Sequence, residues 1–284
     1  MLKGKTVVIT KASRGIGQAM ALKFASAGAN IVILSREAPE NIRETENFIE
    51  AFGRKVWTFP VEMSDIQGMK RAILESVHRF GGIDILVNNA GSTCFTDVLN
   101  TSPEEFDAAI ASSVRTAFFL SQICFPYLKK GSNPHIINMS PPINIDSGCL
   151  KDCLTFSLSK YATSLCTLGM AEEFRQEAVA VNSLWPETAI ATPTLKEHFL
   201  AKVYAASRWP SIMADAAYEL VLKNSKECTG RFFTDEMLLR EAGVVDFSQY
   251  AVDPSVSLMQ SLFLPINRNR ISLSRELFHC NCLK

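Results

Sequence analysis

Thr6-Val7-Val8-Ile9-Thr10-Lys11-Ala12-Ser13-Arg14-Gly15-Ile16-Gly17 lies close to the start of the chain and decides how the rest is read. Its first five residues are all β-branched, the composition of a strand. Two glycines come next, and from Gly15 onward the pattern becomes helical. A strand that passes through a tight turn into a helix start is a natural phosphate site. The first-turn amides have no intrahelical acceptor, and the helix dipole favours negative charge there. Gly15 and Gly17 let a pyrophosphate and the neighbouring strand come close to the backbone. An ordinary turn can carry the same glycines, so the weight of this stretch depends on the elements after it.

Those elements alternate regularly. Short apolar runs at 30–35, 55–60, 83–88, 135–140, 179–184 and 230–234 join the first run at 6–10 as expected strands. Helical patterns at 15–27, 41–52, 65–80, 103–128, 152–176 and 213–222 separate them. Several strands are apolar throughout, as strands covered on both faces are. The pattern predicts an α/β fold, a single Rossmann-type doubly wound parallel sheet with helices on both faces. No linker divides the chain. The expected organisation is one dinucleotide-binding domain over residues 1–254. A C-terminal extension, 255–284, is expected to pack loosely and to be partly flexible. It holds an apolar patch, Leu262-Phe263-Leu264, and a basic stretch, Asn267-Arg268-Asn269-Arg270.

Composition excludes some functions. The chain has 284 residues, 29 basic and 29 acidic side chains and no formal net charge, so nothing argues for nucleic acid or an anionic membrane as partner. Hydrophobic residues make up 47%, enough for a sizeable core. No apolar run reaches the roughly 18–20 residues that span a bilayer. Cys94, Cys124, Cys149, Cys153, Cys166, Cys228, Cys280 and Cys282 are scattered rather than arranged as a disulfide framework. Reduced thiols and an intracellular, by default cytoplasmic, location are expected. Met1-Leu2-Lys3-Gly4-Lys5 leads straight into a strand, with little room for a targeting peptide. Cys282-Leu283-Lys284 is not a peroxisomal tripeptide. Neither Cys149 with Cys153 nor His279, Cys280 and Cys282 has the paired spacing of a zinc site, and no metal is expected. His78, His135 and His198 form no nucleophile–base pattern.

Three later stretches turn the fold into a family resemblance. They are Asn88-Asn89-Ala90-Gly91, His135-Ile136-Ile137-Asn138-Met139-Ser140, and Phe156-Ser157-Leu158-Ser159-Lys160. With the opening turn they resemble the short-chain dehydrogenase/reductase family. The resemblance implies a nicotinamide nucleotide as cofactor. Thr10, Lys11, Ser13, Arg14, Gly15, Ile16 and Gly17 would form its turn, with Arg36 after the second strand. Glu62 and Met63 would lie near the adenine, Asn89 and Ala90 beside the ribose, and Pro186 and Thr188 over the nicotinamide. Lys160 would hold the other ribose. Arg14, and Ser35 with Arg36 where an NAD-selective protein usually places a carboxylate, favour NADP. Both arginines also read as solvated surface charges. Lys11 replaces the first glycine of the turn. A positive φ there costs a side-chain-bearing residue about 1–2 kcal/mol. Its ammonium either pairs with a phosphate or fills the space the cofactor needs.

In the family a tyrosine hydroxyl gives a proton to the carbonyl oxygen, a lysine lowers the tyrosine's pKa, a serine orients the substrate and an asparagine anchors a relay water. Carried onto this chain, Ser140 and Lys160 are the serine and the lysine. Phe156 stands in the tyrosine's place, and Ser113, counted by helix register, in the asparagine's. A lost general acid removes about 10²–10⁴ in rate. Tyr161 points about 140° away from Phe156 around the helix and is expected toward the core or a partner subunit.

Asn138-Met139-Ser140-Pro141-Pro142 and Leu184-Trp185-Pro186-Glu187-Thr188 are similar to the hydroxysteroid dehydrogenase-like branch of the family. That branch is placed in peroxisomes or mitochondria, the only ground for either location here. Three readings stand at this point. The chain binds NADP(H) but is catalytically impaired or inactive. It is a working NADP-dependent oxidoreductase on a hydrophobic carbonyl or alcohol, with water or Ser140 as proton source. Or it is a degenerate interaction protein whose Lys11 excludes the nucleotide. A hydrophobic small-molecule ligand and a homo-oligomer paired through helices 103–128 and 152–176 are the partners expected. Residues 195–208 read either as a mobile lid or as a core-facing helix.

Overall fold

Each strand of the main sheet donates side chains to both faces, because successive residues of a strand point in opposite directions. In β1 (Thr6–Thr10), Val7 and Ile9 join an apolar cluster on one face while Val8 joins the cluster on the other. A computed structural model of the protein describes residues 1–37, 39–91, 94–145, 147–151, 153–265 and 271–272. The remaining strands of the sheet are β2 (Asn30–Ser35), β3 (Val56–Pro60), β4 (Ile85–Asn88), β5 (His135–Asn138), β6 (Ala180–Trp185) and β7 (Phe232–Thr234). All pair in parallel, in the order β3-β2-β1-β4-β5-β6-β7. The expected doubly wound α/β architecture is the one observed. The order reverses between β1 and β4, and the crevice there, at the carboxyl ends of the strands, is where such sheets bind ligands.

Helices cover both faces. Phe24 and Met20 of α1 (Gly15–Ser26) and Met213 and Leu220 of α10 (Ser211–Leu222) pack on one, with α2 (Pro39–Ala51) beside α1. Met69 and Ile73 of α3 (Ile66–Phe80), Leu120 and Cys124 of α5 (Thr116–Leu128) and Met170 of α7 (Leu154–Glu173) pack on the other. Burying side chains of this size contributes about 1.5–3 kcal/mol each.

The structure departs from the sequence reading in several places. The helix expected over 103–128 is two helices, α4 (Pro103–Ile110) and α5, joined by a π turn, Ala111–Arg115. Thr116 explains the widening: its hydroxyl donates to O of Ala111 at 2.9 Å and to O of Met63 at 2.9 Å. Residues 103–128 are also long and apolar enough, by length and composition, to cross a membrane. Leu120, Cys124 and Leu128 of α5 lie inside the core. Residues 193–205 form two short helices, α8 (Pro193–His198) and α9 (Ala201–Ala205), in place of one; α6 (Ser147–Leu150), α11 (Asp235–Glu241) and the pair β8 (Met259–Gln260) with β9 (Ile271–Ser272) were not expected.

Finally, the chain after Pro254 is not loose throughout. Met259, Gln260, Phe263 and Leu264 are buried. The segment is stitched in place by hydrogen bonds from N of Ala189 to O of Met259 (2.9 Å), from N of Met259 to O of Ala206 (2.8 Å) and from N of Ser261 to O of Glu187 (3.1 Å). The basic stretch at 267–270 and the His279, Cys280 and Cys282 group lie outside the described residues.

Candidate active site

The turn after β1 is braced before it can bind anything. Thr10 Oγ1 accepts from N of Asn89 (2.9 Å) and N of Ala90 (2.7 Å), and Asn89 Nδ2 donates to O of Thr10 (3.0 Å) and O of Lys11 (3.1 Å). Thr10 and Asn89 therefore hold the turn to the end of β4. Gly17 has to be glycine: a Cβ there would sit 2.5 Å from O of Lys11 and 2.6 Å from Asn89 Nδ2.

Lys11 occupies the left-handed region with φ 54°, the strained geometry expected for glycine at this point. Its ammonium crosses the crevice and donates to O of Gly91 at 3.3 Å. Burial, and then the nearby Arg14, hold its pKa below the usual lysine range. Lys11, Arg14 and Gly91 bound two cavities in common, so the strut divides the crevice in two.

The larger cavity, about 430 Å³, lies at the β2 end, lined by Ser35, Arg36, Glu37, Glu62, Met63 and Ala90. Arg36 is exposed and 3.6 Å from the Glu62 carboxylate. Arg14 pairs with Glu37 at 3.5 Å and Glu197 at 3.0 Å. Ser13 is buried and Ile16 half-buried. Glu37 and Glu197 were missed by the sequence reading. Glu37 directly succeeds Arg36 and could have been noticed; Glu197 is brought to Arg14 only by tertiary structure.

The smaller cavity, about 200 Å³, lies under the carboxyl ends of β5 and β6, lined by Met139, Phe156, Lys160, Trp185, Pro186 and Thr192. Lys160 is buried, and its ammonium donates to O of Met139 at 3.0 Å. It lies 5.8 Å from the centre of the Phe156 ring and 5.5 Å from that of Trp185. Burial, and then the Lys11 ammonium, push its pKa down to about 8. Phe156 is packed among aromatic rings, with centres 5.0 Å from Phe95 and 5.8 Å from Phe263. Phe263, from the extension, is 1% exposed and takes a left-handed φ of 70°. Phe95 and Phe263 were not anticipated as neighbours, since nothing local in the sequence marks a contact between distant segments.

Ser113 sits in the π turn, buried, with its hydroxyl unpartnered. A Cβ built on Gly91 would be 3.2 Å from Ser113 Oγ and 3.2 Å from Lys160 Nζ, so these two groups flank one point. Ser140 does not join them. It is fully buried, with Oγ 3.1 Å from Ser183 Oγ, while Ser183 also donates to O of Ser140. The neighbouring Met139 lines the cleft instead, and Ser140 turns toward β6. The expectation that Ser140 presents its hydroxyl to a substrate is corrected here. Tyr161, expected toward the core or a partner, donates to O of Asn144 and packs edge-on against Phe263, 5.2 Å between centres.

The loop after β6 is held from below. Asp235 Oδ1 accepts from N of Glu187 (2.9 Å) and N of Glu236 (2.8 Å), and Arg208 pairs with Glu236 at 2.6 Å, almost wholly buried. Burial pushes the Asp235 carboxyl up to about 7, although the two amides and Arg208 pull the other way. On that loop Thr188 is fully buried, and its hydroxyl finds no partner.

These features fit a nicotinamide dinucleotide. The buried hydroxyls of Ser13, Ser113 and Thr188 lack partners among the described residues. Buried polar groups are normally paired, and a ligand in the crevice would supply what is missing. Lys11 crosses this crevice through one hydrogen bond, to O of Gly91 at 3.3 Å. Among the described residues no cluster of ligating side chains suits a metal.

A parallel sheet with a phosphate-binding turn at its switch point defines a dinucleotide-binding protein of the Rossmann type. The model of the short chain dehydrogenase family matches residues 5–202, and the chain belongs to that family. It is similar to hydroxysteroid dehydrogenase-like protein 2 of Xenopus laevis, 42% identical over 97% of this chain and 67% of that protein. The rat protein of the same name is 41% identical over 97% of this chain and 53% of its own length. The chain thus spans about half to two thirds of these relatives. Among solved structures it is similar to a short chain dehydrogenase from Mycobacterium thermoresistibile, 34% identical with a TM-score of 0.86, covering 93% of this chain and 96% of that one. A metagenomic short-chain oxidoreductase solved in complex with NADP is 27% identical with a TM-score of 0.69, covering 82% and 97%.

Proposed function

We propose that the protein binds NADP(H) in this crevice and reduces carbonyl substrates slowly or not at all. One observation carries the reading. The ring at the proton-donor position, 5.8 Å from the Lys160 ammonium, is phenylalanine, and it is packed as a hydrophobic side chain. Bound there, the nucleotide would supply a hydride. The chain's own residues supply binding, but the phenol that gives the proton in the family is replaced by the Phe156 ring. Ser140 is turned away and Tyr161 is committed to O of Asn144.

Support for NADP over NAD comes from Arg14 and Arg36 at the β2 end and from the NADP found in the metagenomic oxidoreductase. Arg36, exposed and weakly paired, is free to turn to a 2′-phosphate, a charge-assisted contact. Lys11 then exchanges O of Gly91 for a phosphate oxygen, and its cost in strain is offset by an ion pair. The exposed apolar side chains Phe118, Leu158, Leu165 and Leu168 on α5 and α7 suit self-association into a homo-oligomer.

Titration with NADPH, monitored by nucleotide fluorescence, tests the binding half, and saturation below millimolar concentration is expected. Flat fluorescence up to that concentration, restored to a saturable signal in Lys11→Gly, would favour a second reading that the strut itself supports: Lys11 excludes the nucleotide and the chain acts as an interaction protein. Brisk NADPH oxidation by the unaltered protein with a hydrophobic aldehyde or ketone would instead establish a working oxidoreductase.

A further inference from the structure

Lys160 is poised for chemistry other than proton transfer. It ends in a cavity of about 200 Å³ whose walls include Met139, Phe156, Trp185 and Pro186. Among the described residues its ammonium has one hydrogen bond, to O of Met139, and no ion pair. The groups that face it are Lys11 from the turn after β1, Ser113 from the π turn, Met139 from the end of β5, Trp185 from β6 and Phe156 from its own helix. Lys11 is the charged member of that set and is another cation; Arg14, which lines the same cavity, is cationic too. Arg14 pairs with Glu37 at 3.5 Å and with Glu197 at 3.0 Å. An ammonium surrounded in this way is shifted toward the free amine, which is the nucleophile of imine chemistry. A tyrosine in place of Phe156 would reverse this, because a phenol or phenolate beside the nitrogen stabilises its charge.

We infer that Lys160 is an amine nucleophile that condenses reversibly with a small aldehyde or ketone entering the cleft. The Nζ lone pair forms a bond to the carbonyl carbon while the C=O π electrons move to oxygen. The proton leaving nitrogen and the one reaching oxygen pass through water and the unpartnered Ser113 hydroxyl, which flanks the same point beside Gly91. The carbinolamine then loses its hydroxyl and the remaining amine proton as water, leaving a C=N bond. Nothing is oxidised or reduced. The inference does not rest on the NADP reading, and nucleotide titration tests that reading separately.

The test uses the full chain with propanal or acetone as probe and cyanoborohydride to reduce any imine to a stable secondary amine, with peptide mass mapping as the readout. Lys160 is expected to be modified about tenfold faster per residue near pH 8 than exposed lysines such as Lys55, with its rate rising through a midpoint near pH 8 rather than above 10. Lys160→Arg should remove that modification while leaving the slow background. Phe156→Tyr should lower the Lys160 rate severalfold and raise its midpoint, and Ser113→Ala should slow it without moving the midpoint. Should Lys160→Arg fail to fold, the mapped rates in the unaltered protein and in Phe156→Tyr decide alone. Modification spread evenly over the lysines, or a Lys160 midpoint above pH 10, overturns the inference.

Discussion

The two cavities separated by the Lys11 strut differ in kind. At the β2 end Ser35, Arg36, Glu37 and Glu62 share the walls with Leu34, Met63 and Ala90, and no aromatic ring is among them. Beneath β5 and β6, Phe156 and Trp185 line the cavity and Phe95 and Phe263 pack behind them; the one ionisable group deep inside is Lys160. On the proposed reading the first end holds the nucleotide. The second has the packed Phe156 ring where the family has a tyrosine. Binding and catalysis in one crevice would then be separable. A site can lose its general acid by a change that leaves side-chain volume, and hence the fold, nearly untouched.

The largest expected effect tests that contrast directly. Phe156→Tyr combined with Ser113→Asn should raise NADPH-dependent carbonyl reduction by about 10²–10⁴, measured over an aldehyde and ketone panel. An unchanged rate, with nucleotide still bound, would mean that the missing acid is not what limits the second cavity. Next in size is the aromatic packing. Phe263→Ala should cost about 3 kcal/mol in urea unfolding if the ring is core rather than a loose cover; a loss under ~1 kcal/mol would make the extension dispensable.

Smaller effects belong to the charged end. Arg36→Ala should reduce the preference for NADPH over NADH about tenfold, the share of one charge-assisted contact. Little change there would move 2′-phosphate recognition to Arg14.

A pH-dependent effect concerns the loop over the second cavity. The folded Asp235 carboxyl titrates near 7, above its unfolded range near 3.8, so the native state holds that proton more tightly. The stability this confers is complete below about pH 4 and is lost as pH rises to about 7. In Asp235→Asn, stability should no longer fall across that interval, as urea denaturation at several pH values would show; an unchanged fall would place the titration elsewhere.

The parts of this picture that were legible in the sequence are those set by short-range pattern. Five β-branched residues before the turn mark β1, and the one-turn spacing of Phe156 and Lys160 puts both at one cleft. Lys11 in the turn announced a strained backbone, and φ 54° shows it. Ser113 was placed by counting along a regular helix. It reaches Gly91 through a π turn that Thr116 creates by bonding outside its own helix, to Met63. Ser140 misled because it lies just past the end of β5, where the choice between facing the cleft and facing Ser183 depends on β6, some forty residues later. Phe263 was invisible for the same reason at longer range. A short apolar patch in a polar tail gives no sign that it will stack on a helix about a hundred residues earlier.

That tail has a practical consequence. The amides of Met259 and Ser261 are tied to carbonyls at Ala206 and Glu187, the latter next to a wall of the second cavity. Glu187 adjoins Pro186, a wall of that cavity, so deuterium uptake at Ser261 becomes an internal gauge of events there. Slow exchange in the resting protein, quickened by a ligand that wedges beneath the strap, would report occupancy without any turnover at all.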